Sequence, residues 1–491
     1  MEFNTIIEAV AYWAERTPDK TCLIDANNDK SISYGELWDN ICVFARRLQD
    51  AGLSKGERVV VRVGPAINTV IAQFGIFLAG GIYCPVEKQM KSLKLLDMIA
   101  HYDSSFLIAS ENADFPGKWI DIMSVCDTGQ ALDYVAYPDP DSPCAIVFTT
   151  GTTGKAKGVM LNHRALSVFA YARYAALELS YTDVMLWTTP IDRVGGMRAP
   201  FIPFLAGATA AYFDGVVFIK DLLAKIKQYS VTAMYMNSFT ATIILKNVPD
   251  AFADYAEQLH VVSFGGGHIA EKYKQQIKHL LPKTRLIVFY GSTEVSAISF
   301  FVFSGNTEKP NCVGKPHSCT KVFILDDNGK LLANSSITTL GTVACESECS
   351  MLGYWKDDAL TAKTMVDKRV IMADVGFFDS EGYLYLMGRR DDIIVSGGHK
   401  IAPYEIEDVA MQIECVHECV CLPIPHAVMG HLPELVVAMK PGAEFSAKRI
   451  YEHLAERLET YKLPRIIKEI ESFPRVGFSD KIDRMKLING K

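Results

Sequence analysis

A polyanion is the ligand that residues 144–161, CAIVFTTGTTGKAKGVML, are suited to meet. The apolar, β-branched run 145–148 fits a buried strand. It empties into ten residues, 149–158, that hold four threonines, three glycines and two lysines. Glycines let the backbone approach an anion closely, successive N–H groups form a concave nest, and threonine hydroxyls add donors. The set Thr149, Thr150, Gly151, Thr152, Thr153, Gly154, Lys155, Lys157 and Gly158 therefore reads as a polyphosphate cradle, with the two lysines supplying charge. The spacing is not that of a P-loop, because no Gly-Lys pair is followed by Ser or Thr. On this stretch alone, a Gly/Thr-rich surface turn remains the alternative.

Other segments carry groups that complement such a loop. Residues 287–294, IVFYGSTE, form a second buried strand ending in a glycine turn. There Tyr290 can stack on a purine, Thr293 can reach a phosphate, and Glu294 can hold Mg²⁺ beside a nucleotide. Residues 372–389, MADVGFFDSEGYLYLMGR, place Asp374 after a strand and Arg389 at the close of a hairpin. A carboxylate beside an arginine suits a ribose diol, and equally a plain structural salt bridge. Residues 389–392 form a charged turn, followed by a loop at Gly397 and Gly398 before a helix marked by Pro403. Near the end, RVGFSDKIDR leaves Lys481 and Arg484 in what reads by itself as a solvated basic turn.

The elements that must position these groups alternate in type. Residues 4–20 have helical periodicity, 22–25 and 31–34 flank an Asn-Asn-Asp turn, and 34–51 repeat apolar residues at Leu37, Ile41, Phe44 and Leu48. Strands at 58–63 and 81–85 alternate with helices at 68–78 and 92–101, and five further strands begin at 184, 209, 233, 259 and 285. Such alternation predicts a parallel sheet covered on both faces. Elements shorten after 388–392, the expected domain boundary, with strands at 394–396, 419–423 and 434–439 and a helix at 405–411.

Composition narrows the class of chemistry. At 491 residues, 49% hydrophobic and 22% charged, the chain can bury a large core in two or more domains. A net charge of −7 without a Lys/Arg-dense run disfavours nucleic acid as a partner, and no stretch of eighteen apolar residues predicts a membrane span. The first thirty residues lack the basic start and apolar core of a secretory signal, so a cytoplasmic setting with reduced thiols is expected for the twelve scattered cysteines. Cys345 and Cys349, and the group Cys415, His417, Cys419 and Cys421, invite a zinc reading. The second group alternates with Val416, Glu418 and Val420, however, which predicts a half-buried strand using cysteine as a small core residue.

In order and spacing, FTTGTTGKAKG, YGSTE, the Asp374 stretch, GRRDDIIVSGGHKIAPYEIE and the terminal lysine segment resemble the motifs of the adenylate-forming superfamily. Its members include acyl- and aryl-CoA ligases, peptide-synthetase adenylation domains and firefly luciferase, and the chain looks most like an AMP-forming acyl- or aryl-CoA ligase. The resemblance implies an α/β fold: a large N-terminal domain of stacked, mostly parallel sheets with helices, residues 1–390, plus a small mobile α+β C-terminal domain, residues 391–491. It implies ATP, Mg²⁺ and CoA as co-substrate, a small-molecule carboxylic acid, and formation of an acyl-adenylate followed by thioester formation. By the same resemblance, residues 149–158 bind the β- and γ-phosphates. Tyr290, Gly291, Ser292, Asp374 and Arg389 hold adenine and ribose, and Glu294 holds Mg²⁺, with Thr293 at the phosphates. Lys481 bridges carboxylate and α-phosphate, Asp391 is the hinge, and Gly397, Gly398 and Lys400 approach the cleft for the CoA step.

The acyl pocket is expected at Asn237, Ser238, Gly265, Gly266, Gly267, His268 and Ile298, with Arg193 near its mouth. Three glycines there leave room for a compact or aromatic acid, or simply let strand and helix pack closely. The chain departs from the superfamily pattern at Arg193, where relatives carry an aromatic or histidine, at Asp480 in place of glycine, and at Ala156 in place of proline. Two other functions remain open. One is loading of an acyl or amino acid onto the phosphopantetheine of a separate carrier protein, for which Asp192 could hold an α-ammonium. The other is a non-enzymatic nucleotide sensor, which would need Tyr290 and Asp374 but not Lys481.

Overall fold

Residues 3–150, 156–214, 219–305, 309–397, 399–475 and 482–489 are described by the structure, a computed structural model. Local sequence sets many of its elements. At the start of helix Tyr34–Asp50, the Ser33 hydroxyl accepts from the Glu36 N–H at 3.2 Å, and the Glu36 carboxylate accepts from the Ser33 N–H at 2.8 Å. That reciprocal pair satisfies two donors left free by the first turn. Helix Ala66–Leu78 is apolar around its whole circumference, which fits a helix enclosed on all sides. It packs against helix Tyr34–Asp50 and lies between strand Thr21–Asp25 of one sheet and strands Arg58–Arg62 and Ile82–Val86 of another.

The larger sheet has fourteen strands among the described residues. Its centre is parallel: Thr21–Asp25, Thr209–Tyr212, Val184–Trp187, Ala233–Asn237, Val261–Gly265 and Arg285–Tyr290 lie side by side in that order. Beyond Arg285–Tyr290 it continues antiparallel through Ser299–Val302, Cys312–Pro316, Leu384–Arg389 and Arg369–Phe378. A second, seven-stranded sheet runs from Gly353–Tyr354 through Ala156–Asn162, Pro143–Thr150, Ile82–Val86, Arg58–Arg62 and Phe106–Ala109 to Lys118–Asp121. One apolar core joins these sheets through the helices between them, and Phe44, Phe74, Phe77, Phe201 and Phe204 are fully enclosed in it. Smaller cores cover the outer faces. The expected parallel sheet is thus present twice, and both copies gain antiparallel strands where the site forms.

A third sheet, of five strands, comprises His399–Ile401, Ile394–Ser396, Gly430–Met439 and Val416–His426, with Ile466–Glu469 parallel to Gly430–Met439. The alternation of Cys415 to Cys421 predicts one buried face, whereas both faces of Val416–His426 are covered. Cys419 and Cys421 pack with Ile406 and Leu454, while Val420 and Leu422 pack with Phe473 on the other side. Helices Pro403–Ala410 and Ala447–Ala455 shield the first face, and the segment containing Ile482 and Leu487 shields the second. The twelve cysteines are free thiols. Among the described residues no helix is long and apolar enough to cross a membrane.

Gly314, in strand Cys312–Pro316, joins the antiparallel half of the large sheet by a close approach that no side chain permits. Its φ is +91°, and a Cβ there would lie 1.7 Å from the Phe300 carbonyl oxygen of the neighbouring strand. Gly314→Ala is expected to lower stability by more than about 2 kcal/mol, since left-handed strain of about 1–2 kcal/mol adds to a backbone clash. Gly329 has φ +76° and open space where a Cβ would be, so Gly329→Ala should cost only the strain. The difference between the two thermal unfolding transitions measures the clash, and equal shifts would remove it.

Candidate active site

The cradle segment is the tip of a hairpin. Strand Pro143–Thr150 pairs antiparallel with Ala156–Asn162, with Phe148 opposite Gly158 and Thr149 opposite Lys157. Gly151, Thr152, Thr153, Gly154, Lys155, Gly398, Asp480 and Lys481 lie outside the described residues, as do the side chains of Thr150, Ala156 and Lys400. Lys157 is half-buried on the returning strand, its Nζ 5.9 Å from the centre of the Tyr354 ring. The short strand Gly353–Tyr354 brings that ring there, with Tyr354 registered on Val159 at the other edge of Ala156–Asn162. The Trp355 N–H donates to the Gly158 carbonyl at 2.7 Å and holds the third strand in line.

Tyr354 also reaches across to the large sheet. Its hydroxyl donates to Glu294 Oε1 at 2.9 Å. Burial first, and then the Glu294 charge, push the Tyr354 phenol well above its ordinary value, so it stays a proton donor at neutral pH. Glu294 sits in a tight turn after strand Arg285–Tyr290, where the Ser292 hydroxyl accepts from the N–H groups of Glu294 at 3.1 Å and Val295 at 3.0 Å. The Met351 N–H donates to the Glu294 carbonyl at 2.8 Å, and Val295 bridges Ser350. Tyr354 carries no local motif; only the pairing of its strand with the hairpin gives it this place.

Tyr290 and Asp374 converge from opposite halves of the same sheet. Tyr290 closes strand Arg285–Tyr290 and is 9% exposed, and its hydroxyl donates to Asp374 Oδ2 at 2.6 Å. Burial, reinforced by the Asp374 carboxylate, raises the Tyr290 phenol well above 10. Asp374 lies inside strand Arg369–Phe378, not after a strand as the sequence suggests, and Arg389 is its register partner on Leu384–Arg389. The Arg389 Nε is buried without a hydrogen-bond partner among the described residues. Tyr290, Asp374 and Arg389 are therefore gathered in one place, and the Tyr290 hydroxyl orients the Asp374 carboxylate.

The small C-terminal sheet meets the large unit at this point. The Tyr404 ring, in helix Pro403–Ala410, stacks on His268 with centres 5.0 Å apart, and His268 Nε2 lies 3.1 Å from Asp408 Oδ1. Tyr404's phenol is pushed up to about 12 by burial, and Asp374 is among the charges that act on it. His268 thus faces the C-terminal helix, where the sequence suggested pocket polarity. Lys272 donates to the Met411 carbonyl at 2.8 Å across the same contact. Arg484 corrects the reading of a solvated turn: its Nη2 donates to both Glu407 oxygens at 2.7 and 2.9 Å, and its Nη1 to the Cys421 carbonyl at 2.9 Å. This largely buried pair anchors the chain three residues beyond Lys481.

The acyl region is more filled than three glycines suggest. A Cβ on Gly265 would lie 2.7 Å from the Tyr235 hydroxyl, and one on Gly267 2.9 Å from the Ser238 hydroxyl. The glycines therefore admit these side chains, Tyr235 being stacked on Trp187 with centres 4.4 Å apart. Asn237 caps helix Ser238–Asn247 by accepting from the Thr240 N–H at 2.8 Å. Ile298 is fully buried. Arg193, with its side chain 48% exposed, lies 3.2 Å from Glu87 Oε1 at the rim. Burial raises the carboxyl of the adjacent Asp192 above its ordinary value. Asp391 is an exposed turn residue, and Gly397 has φ +55° with its N–H on the Met429 carbonyl.

Comparison with known proteins adds an independent line. A family model described as "AMP-binding enzyme" matches residues 10–355, and one described as "AMP-binding enzyme C-terminal domain" matches residues 405–477. A plipastatin synthase of Bacillus subtilis (strain 168) is 26% identical over 99% of this chain, which spans only 19% of that protein. The 2-succinylbenzoate–CoA ligase of Bacillus licheniformis is 26% identical over 96% of this chain and 98% of its own length. The solved o-succinylbenzoate CoA synthetase of Bacillus subtilis, in complex with the acyl-adenylate intermediate OSB-AMP, shares the fold with a TM-score of 0.85. It is 22% identical and covers 98% of this chain and 97% of its own.

Tyr354→Phe removes one hydrogen bond to a carboxylate, a loss of about 1.5–3 kcal/mol. Titration with Mg²⁺ and ATP should show binding weakened about tenfold or more, with the thermal transition of the free protein shifted by only a few degrees. Unchanged affinity would mean that Tyr354 does not position Glu294 for the nucleotide.

Proposed function

The chain belongs to the AMP-binding enzyme family, and from that premise we propose that it is an acid:CoA ligase, joining a carboxylic acid to AMP and then to the thiol of CoA. The observation that supports this most strongly is the 2.6 Å Tyr290–Asp374 hydrogen bond beside Arg389, together with Glu294 held by Tyr354 next to the 149–158 hairpin. A nucleotide laid across these groups has its base at Tyr290, its ribose hydroxyls at Asp374 and its phosphates at the hairpin. The acid then lies toward Gly265–Gly267 and Ile298.

In the first half-reaction a carboxylate oxygen of the acid forms a bond to the α-phosphorus. The bond from that phosphorus to the bridging oxygen breaks, and pyrophosphate leaves with the electron pair. Both reactants are anionic, so a cation spanning them aligns attack and spreads the developing charge; Lys481 is assigned that role. Lys157 and the threonine donors of the hairpin hold the departing phosphates. Glu294 fits Mg²⁺: its carboxylate is a hard oxygen donor, held by Tyr354 and open to phosphate and water, which is the usual mixed coordination of that ion. Bound there, Mg²⁺ neutralises charge on the phosphates.

In the second half-reaction the CoA sulfur, as thiolate, adds to the acyl carbon, and AMP leaves as the carbon–oxygen bond of the anhydride breaks. Asp391 is assigned as the hinge about which the C-terminal unit exchanges Lys481 for the Gly397–Lys400 loop, so that one cleft serves both steps. The Tyr235–Trp187 stack against Gly265 supports a compact or aromatic acid.

Pyrophosphate release is expected with at least one acid from a broad panel, and thioester formation with CoA. Transfer to phosphopantetheinylated carrier protein alone would instead favour the carrier-loading reading, and no acid-dependent release at all would remove both. Lys481→Ala should abolish the release. Asp391→Pro should leave adenylate formation within about twofold of the parent while slowing thioester formation at least tenfold. Equal loss of both steps would end the hinge assignment.

A further inference from the structure

Two arginines are buried behind the acyl region, and among the described residues no carboxylate answers them. Arg173, in helix His163–Leu177, is 8% exposed, and Arg198, which caps helix Val194–Met197, is 4% exposed. Among the described residues neither forms an ion pair with an Asp or Glu, and no carboxylate is among the main charges acting on either. Arg484 shows the usual arrangement in this chain, its guanidinium bidentate on Glu407. A cation taken out of water is costly unless an anion or a full set of acceptors replaces the solvent.

The partners present are incomplete. Arg198 donates from Nε to the Val194 carbonyl at 3.2 Å and from Nη1 to the Ser296 hydroxyl, and its guanidinium lies 4.3 Å from the centre of the Phe169 ring. The Arg173 guanidinium lies 3.6 Å from the centre of the Phe289 ring, and its Nη1 is buried with no hydrogen-bond partner. Beside it, the His317 Nε2 is buried and unpartnered as well. Burial, and then Arg173, lower the His317 imidazolium to about 3, so the ring is neutral and adds no charge. The titratable groups that face them are Tyr235, Cys349 and, for Arg173, Cys319. The Cys319 and Cys349 sulfurs are 3.8 Å apart, and the hydrogen bond with Cys349 lowers the Cys319 thiol to about 6, so the cysteine pair supplies one negative charge against two arginines. Burial lowers Arg173 to about 9 and Arg198 to about 10, so both remain cationic at neutral pH and a positive excess persists.

Their position links this excess to the substrate. Ser296, which holds Arg198, lies two residues beyond Glu294, and Phe289, beneath Arg173, immediately precedes Tyr290. Tyr235, whose hydroxyl occupies the space beside Gly265, lies close enough to both arginines for their charges to act on its phenol. An acid whose reacting carboxylate lies by the nucleotide would extend its far end toward them.

We propose that Arg173 and Arg198 form an anion subsite at the inner end of the acyl pocket, and that the acid this enzyme activates is a dicarboxylic acid whose second carboxylate binds there. The proposal rests on the ligase reading above and specifies its substrate class. The unpartnered Nη1 of Arg173 supplies a donor, and the ligand's charge compensates the buried cations.

The test compares succinate, glutarate, adipate and phthalate with their monomethyl esters as substrates for pyrophosphate release by the unaltered full-length protein. At least one diacid should exceed its monoester by about 100-fold or more in kcat/KM, since a site shaped for a charged partner rejects the analogue lacking it. Arg198→Met and Arg173→Met should each reduce that diacid-to-monoester ratio by at least about tenfold, chiefly through KM, and Arg198→Lys should restore part of it. Monoesters or other monoacids used as well as every diacid would overturn the subsite while leaving the ligase reading intact. Release with no acid of any kind would instead overturn the ligase reading. The comparison on the unaltered protein decides the proposal even if the methionine variants fail to fold.

Discussion

The hydrogen bond from Tyr354 to Glu294 is the constraint on which the site depends, because its two ends belong to different sheets. Tyr354 extends the seven-stranded sheet beside the phosphate hairpin, whereas Glu294 follows the last parallel strand of the larger sheet. The buried Tyr354 phenol loses hydration on folding and recovers a hydrogen bond to the half-buried Glu294 carboxylate. The Met351 N–H on the Glu294 carbonyl and the bridge between Val295 and Ser350 repeat the join on the backbone. The seam sets the distance between the groups assigned to phosphate and the groups assigned to base and ribose.

The second join is between the large unit and the C-terminal sheet. Tyr404 stacks on His268, and Ala402 packs in a small apolar cluster with Val375, Phe377 and Met387, close to Asp374 and Arg389 in sequence and sheet. Hydrogen bonds, a ring stack and one small apolar cluster bring the two units together here, and contacts of this kind can be exchanged more readily than a wide apolar interface. That property suits a reaction in two steps that need different groups in one cleft. The Arg484–Glu407 pair belongs wholly to the C-terminal unit.

Much of the molecule was legible in one dimension. Period-two and period-3.6 patterns identified the strands and helices of both parallel sheets, because an element that buries one face must repeat its apolar residues at its own pitch. Residues that share a strand end and its turn, such as Tyr290 and Glu294, could be read as a group. Asp374 and Arg389, fifteen residues apart, were linked as a pair, and a strand pairing that places them opposite each other accounts for it. Sequence went astray where neighbours come from elsewhere. It gave Cys415 to Cys421 one buried face, but packing from distant helices and the C-terminal segment covers both. It read Arg484 as solvated, but the fold supplies Glu407 from 77 positions away.

The sequence by itself determined the element types, the order of the chemical groups and the family, since propensity, turn chemistry and motif spacing are properties of short segments. Tertiary structure alone decided what faces what. It placed Tyr354 on Glu294, filled the glycine-lined space with Tyr235, and turned His268 toward the C-terminal helix. It also left Arg173 and Arg198 in the interior without a carboxylate among the described residues. Arg173, Arg198 and Ser296 read along the chain as unremarkable residues, and their significance is a burial and a charge imbalance. Both depend on which parts of a long chain are brought into one low-dielectric place.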